Sequence, residues 1–136
     1  MKGLFVDPKE TLEISFFIGT GGDGSLFAVS EEKEFSDKEF KDKNITDVQK
    51  HNVIFRRPSY SDNVDILSLT LKTKGEEIVL DPTLLRYERF CALAKEWSLV
   101  NEKNEPIELN RKNINNLEPD IANIINNKLE AALGSF

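Results

Sequence analysis

The chain has 136 residues, which is enough for one domain or for one domain with a short extension. Hydrophobic residues make up 39% of it, a share typical of a soluble folded domain rather than of a disordered chain. Acidic residues outnumber basic ones by 24 to 18, and the net charge of −6 argues against a nucleic-acid partner held by neutralisation of its phosphates.

The single cysteine, Cys91, and the single histidine, His51, restrict the chemistry of the chain. One cysteine cannot form an internal disulfide, and one residue of each type supplies no ligand set for the usual zinc, haem or iron–sulfur sites. No apolar run approaches the ~18 residues of a membrane span, and the N-terminal segment becomes acidic too early for a signal peptide. The sequence therefore predicts a cytosolic protein with no cofactor, no metal and no membrane association.

The first part of the chain is predicted to form a β-hairpin. Apolar and polar residues alternate over residues 12–18, which predicts a strand with one buried face. Residues 19–25 contain four glycines and predict a turn, and the apolar residues 26–29 predict the returning strand.

Residues 30–50 are dense in charge and predict a solvated loop with a short helical turn. Two phenylalanines in this loop, Phe35 and Phe40, are expected to pin it either to the body of the protein or to a partner. Residues 52–55 predict a third strand, which Pro58 ends because proline cannot continue a ladder.

The adjacent pair Arg56 and Arg57 is the one concentrated basic spot. Two interpretations stay open. The arginines either pair with acidic groups on a partner or on the charged loop, or they are solvated residues at the end of a strand.

Residues 59–80 allow two predictions. A helix capped by Ser61 or Asp62 would place Val64, Leu67 and Leu71 on one side. The alternation of apolar and polar residues from Leu67 onwards favours instead a strand followed by a turn and a second strand.

The C-terminal part is predicted to be helical. Asp81 as N-cap and Pro82 predict the start of a helix over 82–98, with an apolar stripe that includes Cys91 as a buried structural thiol. A short helical piece is expected over 111–117, and Pro119 begins a last amphipathic helix over 119–133. The two long helices are expected to pack as an antiparallel pair.

These elements predict an α+β fold, with a small antiparallel N-terminal sheet and a C-terminal antiparallel pair of amphipathic helices. The sequence divides into a β-rich part, residues 1–58, and a mainly helical part, residues 59–136. They form either one compact domain or two small halves.

No motif in the chain predicts an enzyme. The glycines of residues 19–25 lack the lysine and the following helix of a phosphate-binding loop, and no calcium-loop spacing occurs. His51 and Cys91 have no partner at a spacing that indicates nucleophilic or acid–base catalysis.

The order of features in the second half resembles the small tail assembly chaperones and related virion-assembly proteins of tailed bacteriophages. The segments that carry the resemblance are IFRRPSYSDNVDI (54–66), LLRYERFCALAKEWSL (84–99), NEKNEPIEL (101–109) and INNLEPDIANIINNKLEAAL (114–133), and FVDPKETLEISF (5–16) looks like a first strand of such proteins. Its anchor residues are Arg57, Pro58, Trp97, Pro106, Leu117 and Pro119. Residues 19–50 fall outside it.

This resemblance implies a non-enzymatic role in the cytoplasm of an infected bacterial host. Such chaperones hold the long, apolar, helical tape measure protein in solution until tail-tube subunits assemble around it, and they often self-associate. Two alternatives stay open: a structural virion component, such as a neck, connector or baseplate piece, that stays in the particle, and a regulatory adaptor of host or phage origin with no role in assembly.

The candidate partner-binding residues are apolar residues at the edges of the two helical stripes, together with the arginine pair. For each of the apolar ones, the alternative interpretation is that it belongs to the core. They are Arg56, Arg57, Leu84, Tyr87, Trp97, Ile121, Ile125 and Leu129.

Overall fold

A computed structural model describes residues 3–134 of the chain. The fold is α+β, with an antiparallel sheet and helices. Its strands are β1 (Thr11–Thr20), β2 (Leu26–Val29), β3 (Thr46–Arg56), β4 (Leu71–Lys74), β5 (Glu77–Leu80) and β6 (Ala94–Trp97). Its α-helices are α1 (Tyr60–Thr70), α2 (Pro82–Leu93), α3 (Arg111–Asn115) and α4 (Pro119–Leu133), and two 3₁₀ helices cover Glu32–Ser36 and Lys38–Phe40.

The main sheet has the order β2-β1-β3-β6, and all its neighbouring strands are antiparallel. The predicted strands over 12–18, 26–29 and 52–55 are confirmed, although β3 begins earlier than expected. Ile14 pairs with Val53, and Phe16 pairs with His51, so these side chains share one face of the sheet. All four are buried, and this face is the sheet's side of the core.

The charged segment after β2 folds back onto the opposite face of the sheet. The rings of Phe35 and Phe40 meet edge to face with centroids 5.2 Å apart, and Phe40 meets Phe27 of β2 at 5.7 Å. The two phenylalanines therefore pin this segment to the body of the protein.

Residues 59–80 contain both of the predicted structures in succession. A helix comes first, α1, and the β4–β5 hairpin follows it without a linker. The N-cap is Ser59 rather than Ser61 or Asp62. The Ser59 hydroxyl accepts a hydrogen bond from the Asp62 N–H at 3.2 Å, and the Asp62 carboxylate accepts one from the Ser59 N–H at 2.8 Å.

The helix predicted over 82–98 starts as expected but ends at Leu93. The Asp81 carboxylate caps it, accepting hydrogen bonds from the Thr83 and Leu84 N–H groups. The last part of the prediction is wrong, because Ala94–Trp97 forms β6 and extends the sheet along β3. Strands from both sides of residue 58 thus contribute to one sheet.

Helix α4 matches the prediction over 119–133 and packs against β1 and β2. Lys128 anchors it, since its ammonium donates hydrogen bonds to the carbonyl oxygens of Ser15, at 2.6 Å, and of Ser30. The close helix–helix packing is between α1 and α2, whereas α4 lies on strands. The predicted pair of the helices over 82–98 and 119–133 is not clearly confirmed, since Arg86 and Arg89 of α2 contact Glu130 of α4 but α4 packs mainly on the strands.

One apolar core joins the sheet to the helices. Its buried members come from β1, β3, α1, α2, α3, α4 and the chain after β6, and they are Ile14, Phe16, Val53, Phe55, Ile66, Phe90, Leu93, Leu99, Ile114, Ile125 and Leu129. Among residues 3–134, no helix is long and apolar enough to cross a bilayer.

Candidate protein-binding surface

The β4–β5 hairpin extends from the junction of α1 and α2 and pairs only with itself within residues 3–134. A two-residue turn joins its strands. Gly75 has a φ of +67° at the first position of this turn, where a hairpin turn of type II′ requires a positive φ. The hairpin is therefore regular, but it is only two strands wide.

One side of this hairpin is apolar and uncovered. Leu71 lies opposite Leu80, and Thr73 lies opposite Ile78, so the four side chains project from the same side, which we call the hairpin face. The exposed fractions are 51% for Leu71, 73% for Ile78 and 43% for Leu80. Three large apolar side chains are thus exposed to solvent on the same side of the hairpin.

The base of the hairpin is held in place by polar contacts. The Asp81 N–H donates to the carbonyl oxygen of Thr70 at 3.1 Å, which joins the end of α1 to the start of α2. The Lys72 ammonium lies 2.7 Å from the Asp81 carboxylate and is the main cause of a lowered pKa at Asp81. The hairpin face consequently has a defined position although its apolar side chains stay exposed within residues 3–134.

The exposed apolar side of this hairpin is a candidate binding surface. A two-stranded hairpin is marginally stable in water, and it becomes independently stable when its apolar face is packed against another element. Clustered exposed apolar side chains indicate a site of association, unlike apolar residues scattered singly over a surface.

Two of the sequence-predicted contact residues, Ile125 and Leu129, are fully buried between α4 and the sheet. A partner cannot reach them in this structure. They belong to the core, as the alternative interpretation held.

The arginine pair finds its acidic partners within the chain. Arg56 forms a two-pronged ion pair with the Asp62 carboxylate and also donates to the carbonyl oxygen of Ala92. This contact is the main cause of the pKa of Asp62 being lowered to about 2. Arg57 donates to the carboxylate of Glu10 at 2.9 Å. Neither interpretation describes the pair fully: the arginines form ion pairs and are not simply solvated, but their acids lie at the start of α1 and before β1 rather than in the charged loop.

The other four predicted contact residues, Leu84, Tyr87, Trp97 and Ile121, are half-buried. All but Leu84 pack against the core. The Trp97 indole N–H donates to the carbonyl oxygen of Ile107 at 2.6 Å, which fixes the ring to the fold. The structure does not gather these four residues into one exposed patch.

A concave feature, which we call the distal groove, has a volume of about 1130 Å³ and is lined by residues of β1, β2 and β3, by residues 100–105 and by the segment before α4. Ile18, Leu26 and Val100 supply apolar lining. Its charged lining consists of four carboxylates and one ammonium, from Asp47, Glu102, Glu105, Glu118 and Lys103.

Neither reactive residue type of the sequence contributes to these surfaces. His51 is buried beside Phe16, and its Nδ1 lies 3.5 Å from the Ser98 hydroxyl oxygen. Cys91 is half-buried, and burial raises the pKa of its thiol. Among residues 3–134, no three His, Cys, Asp or Glu residues are placed to hold a metal ion.

Sequence reasoning did not select the hairpin face, although its signal was present. The alternation over 67–72 and the apolar residues 78–80 after a turn are the signal for a strand pair, and the pairing of the two strands puts Leu71, Ile78 and Leu80 on one side. The sequence cannot show that no other element covers that side. No protein-family model, no curated protein and no solved structure matches this chain.

Proposed function

We propose that this protein is a non-enzymatic tail assembly chaperone of a tailed bacteriophage. In this proposal it keeps an apolar helical partner in solution by binding that partner on the hairpin face. The observation that supports binding is the cluster of exposed Leu71, Ile78 and Leu80. The phage setting rests on the resemblance of residues 54–66 and 84–133 to that class. In this proposal the partner is a tape-measure-like protein, and tail-tube subunits later replace the chaperone on it.

The dimensions of the hairpin suit a helix. Its strands are four residues long, about 13 Å, and a helix with side chains is about 10 Å across. One apolar stripe of a partner helix would therefore cover all three exposed side chains. The opposite side of the hairpin carries Val79 together with Lys72, Lys74 and Glu77, whose charges keep the complex in solution.

The test is co-expression with each long helical protein encoded beside this chain, followed by measurement of the soluble fraction of that protein. We expect one of them to be soluble only in the presence of the chaperone. Leu71→Ser should abolish most of this effect, because it removes an apolar contact from the hairpin face without touching the core.

The matched control is Leu26→Ser, which replaces another exposed strand leucine, in the distal groove. It should leave the soluble fraction unchanged. Loss of the effect in Leu26→Ser but not in Leu71→Ser would move the binding site to the distal groove. If no co-expressed protein is solubilised and the chain occurs at fixed copy number in purified particles, it is a structural virion component and the proposal is wrong.

A further inference from the structure

The two outer edges of the β4–β5 hairpin differ in how they are protected against strand pairing. Exposed edges attract other strands, and proteins commonly protect them with lysines. The β4 edge carries Lys72 and Lys74. The β5 edge, Glu77-Ile78-Val79-Leu80, has one charge at its start and no proline.

The backbone groups of β5 that face outward can be identified from the register. Lys74 and Glu77 flank the two-residue turn and bond to each other, and hydrogen-bonded and non-bonded pairs alternate from there. The N–H and C=O groups of Ile78 and Leu80 therefore point away from β4. Within residues 3–134, no other segment donates to or accepts from this edge.

We propose that β5 pairs with β5 of a second copy of this chain across a two-fold axis at Val79. In this register Ile78 lies opposite Leu80 of the second copy, and the outward backbone groups of these residues bond to each other in both halves. Val79 meets its own symmetry mate, so every central cross-strand pair is apolar. Glu77 comes opposite Asp81 of the second copy, whose carboxylate is already ion-paired with Lys72.

Other two-fold registers are less favourable. Shifting the axis to Ile78 places Leu80 opposite Glu76 of the second copy. Pairing along β4 places Lys72 opposite another lysine, either Lys72 or Lys74, and like charges directly opposite are destabilising. Only the Val79 axis pairs each of the three apolar residues of β5 with another apolar residue.

The dimer rests on the proposed function and completes its site. Joined along β5, the two hairpins form a four-stranded antiparallel sheet whose outer strands lie about 14 Å apart. The hairpin faces of both copies lie on the same side of this sheet, so Leu71, Ile78 and Leu80 occur twice. One copy supplies half of the surface on which the partner helix lies.

The interface itself is small. Two four-residue edges bury far less than the ~1,600 Å² of a standard protein interface. We therefore expect a weak, concentration-dependent dimer, which binding of the partner helix strengthens because the helix contacts both copies.

The test is sedimentation equilibrium of the full chain without partner, from about 10 μM to about 1 mM, a range that captures weak association. Val79→Lys should raise the dissociation constant about tenfold or more, because two ammonium groups meet at the axis. The matched control Thr73→Lys adds the same charge to the β4 edge and should leave the constant unchanged. The proposal is overturned if the chain is a monomer at all concentrations, or if Val79→Lys leaves the dissociation constant of the dimer unchanged.

A cysteine probe tests the register directly. In a Cys91→Ala background, Val79→Cys should form a disulfide-linked dimer under mild copper–phenanthroline oxidation, because non-bonded pairs bring Cα atoms within about 4.5 Å. Thr73→Cys should not. Equal cross-linking of both variants contradicts the β5 axis. The dimer and the proposed function are tested separately. If the chain is a monomer and still solubilises its partner, only the dimer is refuted. If it is a dimer and solubilises no partner, only the chaperone function is refuted.

Discussion

At the scale of single residues, Asp62 has two functions at the start of α1. Its carboxylate accepts hydrogen bonds from the N–H and the hydroxyl of Ser59, at 2.8 Å and 3.0 Å, and it forms the ion pair with Arg56. The two contacts join the end of β3 to the helix that leads into the hairpin. The lowered pKa of about 2 is a direct consequence, because both contacts favour the ionised form.

This pKa predicts how stability depends on pH. The folded value of about 2 lies below the unfolded value of about 3.9, so the contribution of Asp62 is complete above pH 4–5 and is lost as the pH falls towards 2. We expect Asp62→Asn to lower the free energy of unfolding by about 1 kcal/mol at pH 7, because the pair is partly exposed. Urea unfolding at several pH values should show this difference shrinking between pH 4 and pH 2. The control is Asp65→Asn in the same helix, whose side chain is exposed, and a difference that persists at pH 2 would contradict the assignment.

At the scale of elements, Gly19 allows the charged segment to pack closely against the sheet. It lies within β1 rather than in the turn that the sequence predicted. A Cβ atom here would come within 2.5 Å of the Ile45 side chain and 2.9 Å of the Phe35 ring. Gly19 is therefore required for close approach, and its role is packing rather than flexibility.

Gly19→Ala should destabilise the fold by about 1–3 kcal/mol, as overpacking does in a filled site. Thermal and urea unfolding measure the loss. A double-mutant cycle with Ile45→Ala identifies the cause, because removing the obstructing side chain should make the added methyl less costly. An unchanged stability in Gly19→Ala, or strict additivity in the cycle, would show that the segment does not pack here as described.

The elements also show which predictions the local sequence supports. The strand over 12–18 and the helix over 119–133 follow from periodicity and capping, which are local, and both are confirmed. Residues 94–97 continue the helical spacing of apolar residues, but they pair with β3 instead, a contact between chain segments some forty residues apart. Ile125 was similarly ambiguous, since a stripe cannot show whether the chain itself or a partner covers it. The hairpin face poses the same question, and there we propose that a partner supplies the cover, because Leu71, Ile78 and Leu80 stay exposed within residues 3–134.

At the scale of the whole molecule, stability is unevenly distributed. The main sheet is covered by helices on one face and by the charged segment on part of the other, and its central residues Phe16, Val53 and Phe55 are fully buried. The β4–β5 hairpin contributes no residue to this core. Its strands are held by their own ladder and by the contacts of Lys72 and Thr70 with Asp81 at its base. A binding element with few contacts in the free protein belongs to the low-stability end of a fold.

Hydrogen exchange should resolve this difference. In dilute protein, amides within 71–80 should exchange about 100-fold faster than those of β1 and β3, because the hairpin opens locally whereas the sheet requires global unfolding. Low urea should accelerate the sheet amides and leave the hairpin amides unaffected, since local opening exposes little surface. Raising the protein concentration should then slow exchange at Ile78 and Leu80, whose outward N–H groups bond to the second copy. If Ile78 and Leu80 of the dilute protein exchange as slowly as the sheet, their N–H groups are already hydrogen-bonded in the monomer, and the β5 pairing is excluded.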